Sequence, residues 1–474
     1  MALQPASLSR RRFLQTASAA GLLAALPLRA AQPAPAAPDA PASARRARNV
    51  IFLVADGMSA GAFTLADLYR RHLCGRRCHW AARLETGGLH NGLMDTASAS
   101  SLVTDSAAAS SAWGGGHRVA NGSINLAADG TAIEPLLVKA RRAGKAIGLV
   151  TSARLTHATP AGFLANVDSR ASEDVIAVQF LERGLDVGLG GGLKHFSPKR
   201  RVDHRDITKE FSAAGHSIVL DRAALLAAPP GDERLLGLFA DDHLPYRLDH
   251  RADPALSATV PTLSEMTTAA LARLSARPAG FVLQVEGGRV DHAAHNNDAA
   301  ALMLEMLDFD DAVAAALAFQ QQNPDTLVVI TADHGTADPG LIGNGHADTG
   351  LAQIASFRSS FERMAATLGT EPTLIELHEH LVAGTGLPLT IEEVAPVLAA
   401  MSGHGTATYK PDRGAAPTLA AVLESYLAIG WTSTDHTADF VGFTAIGPGA
   451  EAFPPLVRND AVHNHLLVAL GIGR

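Results

Sequence analysis

Only two cysteines occur in the 474 residues of this chain, Cys74 and Cys78. Their spacing matches no common zinc finger and no second pair exists, which excludes a cysteine-built metal site. They read as loop cysteines that could bond to each other, with no function assigned. Long runs of lysine or arginine are missing outside the N-terminus; Arg45-Arg46-Ala47-Arg48 is short and reads as solvated linker. With a formal net charge of -8, no nucleic-acid-binding surface is expected. Nor does any segment reach the roughly 18–20 apolar residues that a bilayer span requires. No internal repeat is visible. Hydrophobic residues make up 47%, so a sizeable core can be buried, in one large α/β domain or two to three smaller ones.

The N-terminus reads as an export signal. Ser9-Arg10-Arg11-Arg12-Phe13-Leu14 precedes a mildly apolar run from Ala17 to Leu28, and Arg29 follows it. An arginine pair, a weakly hydrophobic core and a basic residue near the cleavage region resemble a twin-arginine signal over residues 1–31. A Pro/Ala-rich linker over 32–48 is expected to tether it to the rest. The expected location is therefore periplasmic or secreted, with no membrane span after signal removal.

Asn49 to Ala55 is a continuous apolar run, as a parallel strand buried on both faces requires, and it ends in Asp56-Gly57-Met58. Lys145–Thr151, Gly280–Val285 and Thr326–Thr331 read as further strands, with helices predicted over Ile133–Arg142 and Asp298–Gln321. Such alternation implies a parallel sheet covered on both faces, with ligands at the carboxyl ends of its strands. Asp56, Glu286 and Asp333 all fall at those ends, which predicts a shared site. The expected fold is an α/β three-layer sandwich: a large, mostly parallel central sheet, helices on both faces, and a helical insertion. The core covers 49–339 and 434–474. The insertion, 340–433, carries predicted helices over Phe357–Leu368, Thr373–Ala383, Ile391–Met401 and Pro417–Leu427. Thr437–Ile446 then returns as strands and Val462–Leu470 closes the chain as a helix.

The chemistry-bearing residues gather in a few motifs. In Val103-Thr104-Asp105-Ser106-Ala107-Ala108-Ala109 a serine follows an acid and opens an Ala-rich helical segment. A nucleophile there would face an anion with the helix dipole behind it, although Thr-Asp-Ser is also an ordinary N-cap. Asp291 and His295 are four apart, one helical turn, and form a workable ligand pair. Asp333-His334 and Asp435-His436 repeat the combination. Three such clusters, with Asp56, supply enough donors for more than one divalent ion.

In this set the chain resembles the alkaline phosphatases. The motifs are Val54-Ala55-Asp56-Gly57-Met58, Thr104-Asp105-Ser106-Ala107-Ala108, Thr156-His157-Ala158-Thr159-Pro160, Val285-Glu286-Gly287, Asp291 with His295, Thr331-Ala332-Asp333-His334 and His436-Thr437. Any one is common, but the ordered set is specific, and it covers the core from about residue 49 to the C-terminus while the insertion matches poorly. The resemblance implies two Zn2+ ions, one held by Asp291, His295 and His436 and the other by Asp333, His334 and Asp56. It implies one Mg2+, or Zn2+ in its place, on Asp56, Thr159 and Glu286. Ser106 would be the nucleophile, forming a phosphoserine. Arg170 would clamp the phosphate, with Asp105 orienting it. His157 and His292 depart from the enterobacterial pattern, which has aspartate and lysine there, and match animal members; they would contact the phosphate region and tune the third metal site. The implied substrates are small-molecule phosphate monoesters. A homodimer is compatible with the resemblance, and the sequence leaves the oligomeric state open.

Two alternatives have weaker support. A diesterase or sulfatase of the same fold would more often carry threonine or a modified residue in place of Ser106. A non-catalytic exported metal- or phosphate-binding protein would need no serine beside the metal ligands.

Overall fold

A computed structural model of the chain describes residues 46–228, 234–343, 345–402 and 414–473. The signal reading and nearly all of the linker reading lie outside the described residues. The strands are β1 (Asn49–Ala55), β2 (His90–Asp95), β3 (Ala146–Arg154), β4 (Val187–Gly191), β5 (His216–Val219), β6 (Arg234–Leu238), β7 (Phe281–Gly287) and β8 (Thr326–Thr331), then the short β9 (Gly335–Thr336), β10 (Gly340–Leu341), β11 (Ile429–Gly430) and β12 (His436–Thr437), and finally β13 (Val441–Ile446) and β14 (Leu456–Arg458). Ten of them form one sheet in the order β14-β2-β13-β8-β1-β7-β3-β4-β6-β5. Within it only β13 runs antiparallel to its neighbours. Helices cover the sheet, as the expected α/β architecture requires, and β1 at its centre is buried along its whole length.

β1 and β8 keep their predicted bounds, whereas β3 and β7 run on to Arg154 and Gly287. The β7 extension is polar: its Glu286 lies opposite Thr151 on β3, which donates its hydroxyl to that carboxylate at 2.5 Å. β4 carries no strand signal, being Val-Gly-Leu-Gly-Gly. Packing is the reason, since a Cβ on Gly188 would lie 2.9 Å from the Leu155 side chain. The long predicted helix forms over Ala299–Gln322, capped by the Asp298 carboxylate, which accepts from Ala301 N–H at 2.9 Å. The loop reading of the cysteines needs correction. Cys74 ends the helix Ala60–Cys74, Cys78 is buried at the cap of the next helix, and both thiols are free.

Between β10 and β11 the described residues form helices over Ala347–Gln353, Phe361–Thr367, Leu374–Thr385, Ile391–Met401 and Ala416–Leu427. Thr373 with Glu376, and Thr390 with Glu393, build capping boxes that fix two of these starts. β10 pairs antiparallel with β11, so the chain leaves and re-enters this region at one place. No described helix is long and apolar enough to cross a membrane.

Candidate active site

Parallel strands of matched register deliver their polar ends to one level. Val54 pairs with both Glu286 and Thr331, so Asp56, Glu286 and Asp333 emerge together above the sheet. β12 pairs with β9, placing His436 opposite Thr336 and beside His334. Gly57 makes the approach possible. Its φ is +75°, and a Cβ there would meet Asp291 Oδ1 at 2.7 Å. The helix Ser106–Gly115 is buried throughout and lies against the helix Ala158–Leu164, where a Cβ on Gly114 would fall 1.8 Å from Gly162 O. That contact sets Ser106 and Thr159 on the same floor. Ser106 opens its helix behind Asp105, whose carboxylate accepts from Ala108 N–H at 2.9 Å.

Nε2 of His334 lies 3.4 Å from Ser106 Oγ, 3.1 Å from Asp333 Oδ2 and 3.6 Å from Asp56 Oδ1. In the neutral ring the proton is on the other nitrogen. Thr336 Oγ1 donates to Asp291 Oδ1 at 2.7 Å, so it can only accept from His334 Nδ1, at 3.2 Å. His295 Nδ1 donates to Thr434 O at 2.6 Å, and His436 Nδ1 to Thr104 O at 2.9 Å. When neutral, all three imidazoles therefore point an Nε2 lone pair inward, the arrangement by which partners outside a metal site fix its histidines. Nε2 of His295 and of His436 are 3.1 Å apart. Two lone pairs cannot face each other so closely without a cation or proton between them. Two nitrogens on one tetrahedral zinc, at ~2.0–2.1 Å each, would be about 3.3 Å apart.

The carboxylates make the same demand. Asp56, Glu286 and Asp333 are 0% exposed and Asp291 is 5% exposed. Asp56 Oδ1 and Glu286 Oε1 have no hydrogen-bond partner. Burial, then repulsion from Asp333 and Asp291, holds the Asp56 carboxyl well above the usual range; burial pushes Glu286 up to about 7. Burial also acts against Asp291 and Asp333, but neighbouring histidines outweigh it and keep both low. Buried anions of this density are unstable without compensating positive charge. Donor atoms of Asp56, Asp333 and His334 lie within 4.8 Å of one another, as do those of Asp291, His334 and His436, and those of Asp56, His157 and Glu286. His295 joins the second group through Asp291 Oδ2, at 3.3 Å. Thr159 joins the third through its hydroxyl, 3.3 Å from Asp56 Oδ2. The residues present fit divalent ions.

Comparison with known proteins decides the family. The alkaline phosphatase family profile matches residues 47–472. The chain belongs to the alkaline phosphatase family. It is a phosphoric monoester hydrolase, of a family that works with divalent metals. It is 34% identical over 378 residues to alkaline phosphatase 4 of Bacillus subtilis, covering 78% of this chain and 77% of that one. Its fold superposes on the Thermus thermophilus alkaline phosphatase with a TM-score of 0.84 at 38% identity, covering 91% and 92% of the two chains. The cold-active alkaline phosphatase of a psychrophilic Shewanella gives 0.75 at 28%, covering 89% and 99%.

Beside Asp105 lies a group of one arginine and three imidazoles. Arg170 Nη1 donates to Asp105 Oδ2 at 3.1 Å and its Nη2 to His157 Nε2 at 3.1 Å. Asp105 thus caps the serine helix and holds the guanidinium. Because Arg170 donates to Nε2, neutral His157 carries its proton on Nδ1, which is buried and without a partner. Burial, reinforced by Arg170, holds this imidazole far below its usual pKa. The His157 and His292 rings are 5.6 Å apart. Sequence reasoning missed His243, whose ring lies 5.4 Å from His157 and 4.3 Å from His292. It also missed Thr336 and Thr151, the hydroxyls on Asp291 and Glu286. None sits in a quoted motif, and each is brought in by tertiary contact alone.

Proposed function

We propose that the chain is an exported phosphomonoesterase acting through Ser106, with two zinc ions and one magnesium. Asp291, His295 and His436 would hold one zinc, and Asp56, Asp333 and His334 the other. Asp56, Thr159 and Glu286 would hold the magnesium, a hard oxygen set with the imidazole of His157 beside it. When bound, the ions supply Lewis acidity and charge neutralisation to the entering and leaving oxygens. Arg170, steadied by Asp105, would hold two non-bridging phosphate oxygens with its guanidinium fork. Ser106 Oγ would attack phosphorus in line, the ester P–O bond would break, and the alcohol would leave. Water would then cleave the phosphoserine, releasing phosphate and restoring the hydroxyl. With recognition centred on the phosphoryl group, small monoesters of varied alcohols are the proposed substrates.

The observation that carries this reading is the 3.4 Å approach of Ser106 Oγ to the inward-facing Nε2 of His334, next to the Asp105 carboxylate that accepts from Arg170. The test is Ser106→Ala assayed on p-nitrophenyl phosphate, with metal content counted in parallel. Monoesterase turnover should fall by roughly a thousandfold or more at unchanged zinc content, the scale expected for loss of a nucleophile. Phosphate trapped on a different residue would refute the assignment.

A further inference from the structure

Four consecutive residues at the start of the helix Phe361–Thr367 are anchored on the core. Ser360 donates its N–H and hydroxyl to Asp249 at 2.8 and 2.6 Å. Phe361 N–H donates to Asp298 Oδ2 at 2.7 Å. Arg363 Nη2 donates to Asp253 Oδ2 at 2.9 Å. Between them, Glu362 receives Arg289 Nη2 on both oxygens, at 2.9 and 2.8 Å. Arg289 is itself buried, at 3% side-chain exposure, with its guanidinium carbon 3.7 Å above the centre of the Tyr246 ring. Its other terminal nitrogen, Nη1, lies 3.0 Å from His292 Nδ1.

A guanidinium only donates. Nδ1 of His292 must therefore accept, and the neutral ring must carry its proton on Nε2. We infer that Arg289 is a positioning residue that fixes His292 as an Nε2–H donor toward bound phosphate, and that the helix beginning at Phe361 sets Arg289 through Glu362. This rests on the reading of His292 as a phosphate contact. Tyr246 holds the guanidinium by its face and Glu362 holds one terminal nitrogen with both carboxylate oxygens, so its third contact is directional. Without that donor the imidazole could take either tautomer, and half of its orientations would turn a lone pair toward an anion. The helical region between β10 and β11 would then act on the phosphate site through one side chain, without supplying a ligand to it.

The test uses the full-length, zinc-loaded enzyme labelled with 15N-histidine, with inorganic phosphate as the probe. His292→Asn identifies the His292 resonances by their loss. Wild type should show His292 protonated on Nε2 alone. Arg289→Gln should show both tautomers and a roughly 10-fold weaker inhibition by phosphate, at unchanged zinc content. Arg289→Lys, which keeps a cationic donor, should recover part of that loss. Glu362→Gln alters a side chain that is 54% exposed and spares the buried arginine, so it should fold even if the Arg289 variants do not. Its expected effect is a roughly 2- to 5-fold weaker inhibition, with some of the second tautomer. An unchanged His292 tautomer in both Arg289→Gln and Glu362→Gln overturns the role of Arg289. Unchanged phosphate inhibition in His292→Asn overturns the placement of His292 beside phosphate, and this inference with it.

Discussion

Metal loading should release protons in amounts that depend on pH in a defined direction. In the metal-free protein burial raises Glu286 to about 7, so its carboxyl is mostly protonated below that pH. A bound divalent ion needs it ionised. At pH 6 the fraction to be released from Glu286 alone is about 0.9 proton, and at pH 8 about 0.1. Asp56 is raised by burial and by Asp333, and His334 is raised because Asp333 and Asp291 outweigh its burial, so both add release of the same sign. Asp291 and Asp333 are held low and add none; His436, lowered by burial to about 4, is already neutral. Competition from the Glu286 proton alone should weaken the ion it contacts roughly 10-fold at pH 6 relative to pH 8. Calorimetric metal titration of the chelator-stripped protein, in two buffers of different ionisation enthalpy, counts the protons. Glu286→Gln should erase about 0.8 of the difference between pH 6 and pH 8. Equal release at both pH values in wild type would mean that Glu286 is ionised without metal, and the argument that these carboxylates await a cation would fail.

Other expectations concern the core, the third site and export. Phe52 is fully buried, 5.0 Å from Trp113 on the serine helix and 5.3 Å from Phe163 on the Thr159 helix. Phe52→Ala should cost about 3–5 kcal/mol in denaturant unfolding of the metal-loaded protein, and a loss below about 1 kcal/mol would mean that the helices close over the gap. His157→Asp puts a hard anion beside Asp56 and Glu286, so it should raise bound magnesium relative to zinc in metal analysis; an unchanged ratio would remove His157 from the third site. Replacing Arg10 and Arg11 together by lysine should leave active enzyme in the cytoplasm, and normal export of that variant would reject the twin-arginine reading.

Much of the fold was legible because its central strands are buried on both faces. An unbroken apolar run such as Asn49–Ala55 has few other structures available to it, and its bounds were readable to the residue. Strands β4, β5 and β6 lie toward one edge of the sheet and carry glycines, a histidine or an arginine, so their apolar signal is weak and they escaped notice. The candidate ligands were legible for a related reason. A carboxylate that ends an apolar strand has no local purpose, so Asp56, Glu286 and Asp333 stand out from the sequence around them.

The residues that orient those ligands have no such signature. Thr336 is one threonine among many until β9 brings its hydroxyl between Asp291 and His334, where it decides which nitrogen of the imidazole carries the proton. Thr104 and Thr434 act through backbone carbonyls, which every residue has and which no side-chain pattern can mark. Arg289 lies between two of the quoted motifs, yet its contact with His292 is set by Glu362 and Tyr246, which are distant in sequence and meet it only through the fold. Ligand identity in this site is thus a property of single positions, whereas ligand protonation is a property of contacts. Three histidines present Nε2 inward because three separate oxygens, on Thr336, Thr434 and Thr104, accept from Nδ1. Moving any one of those oxygens would change the donor set while leaving every motif intact.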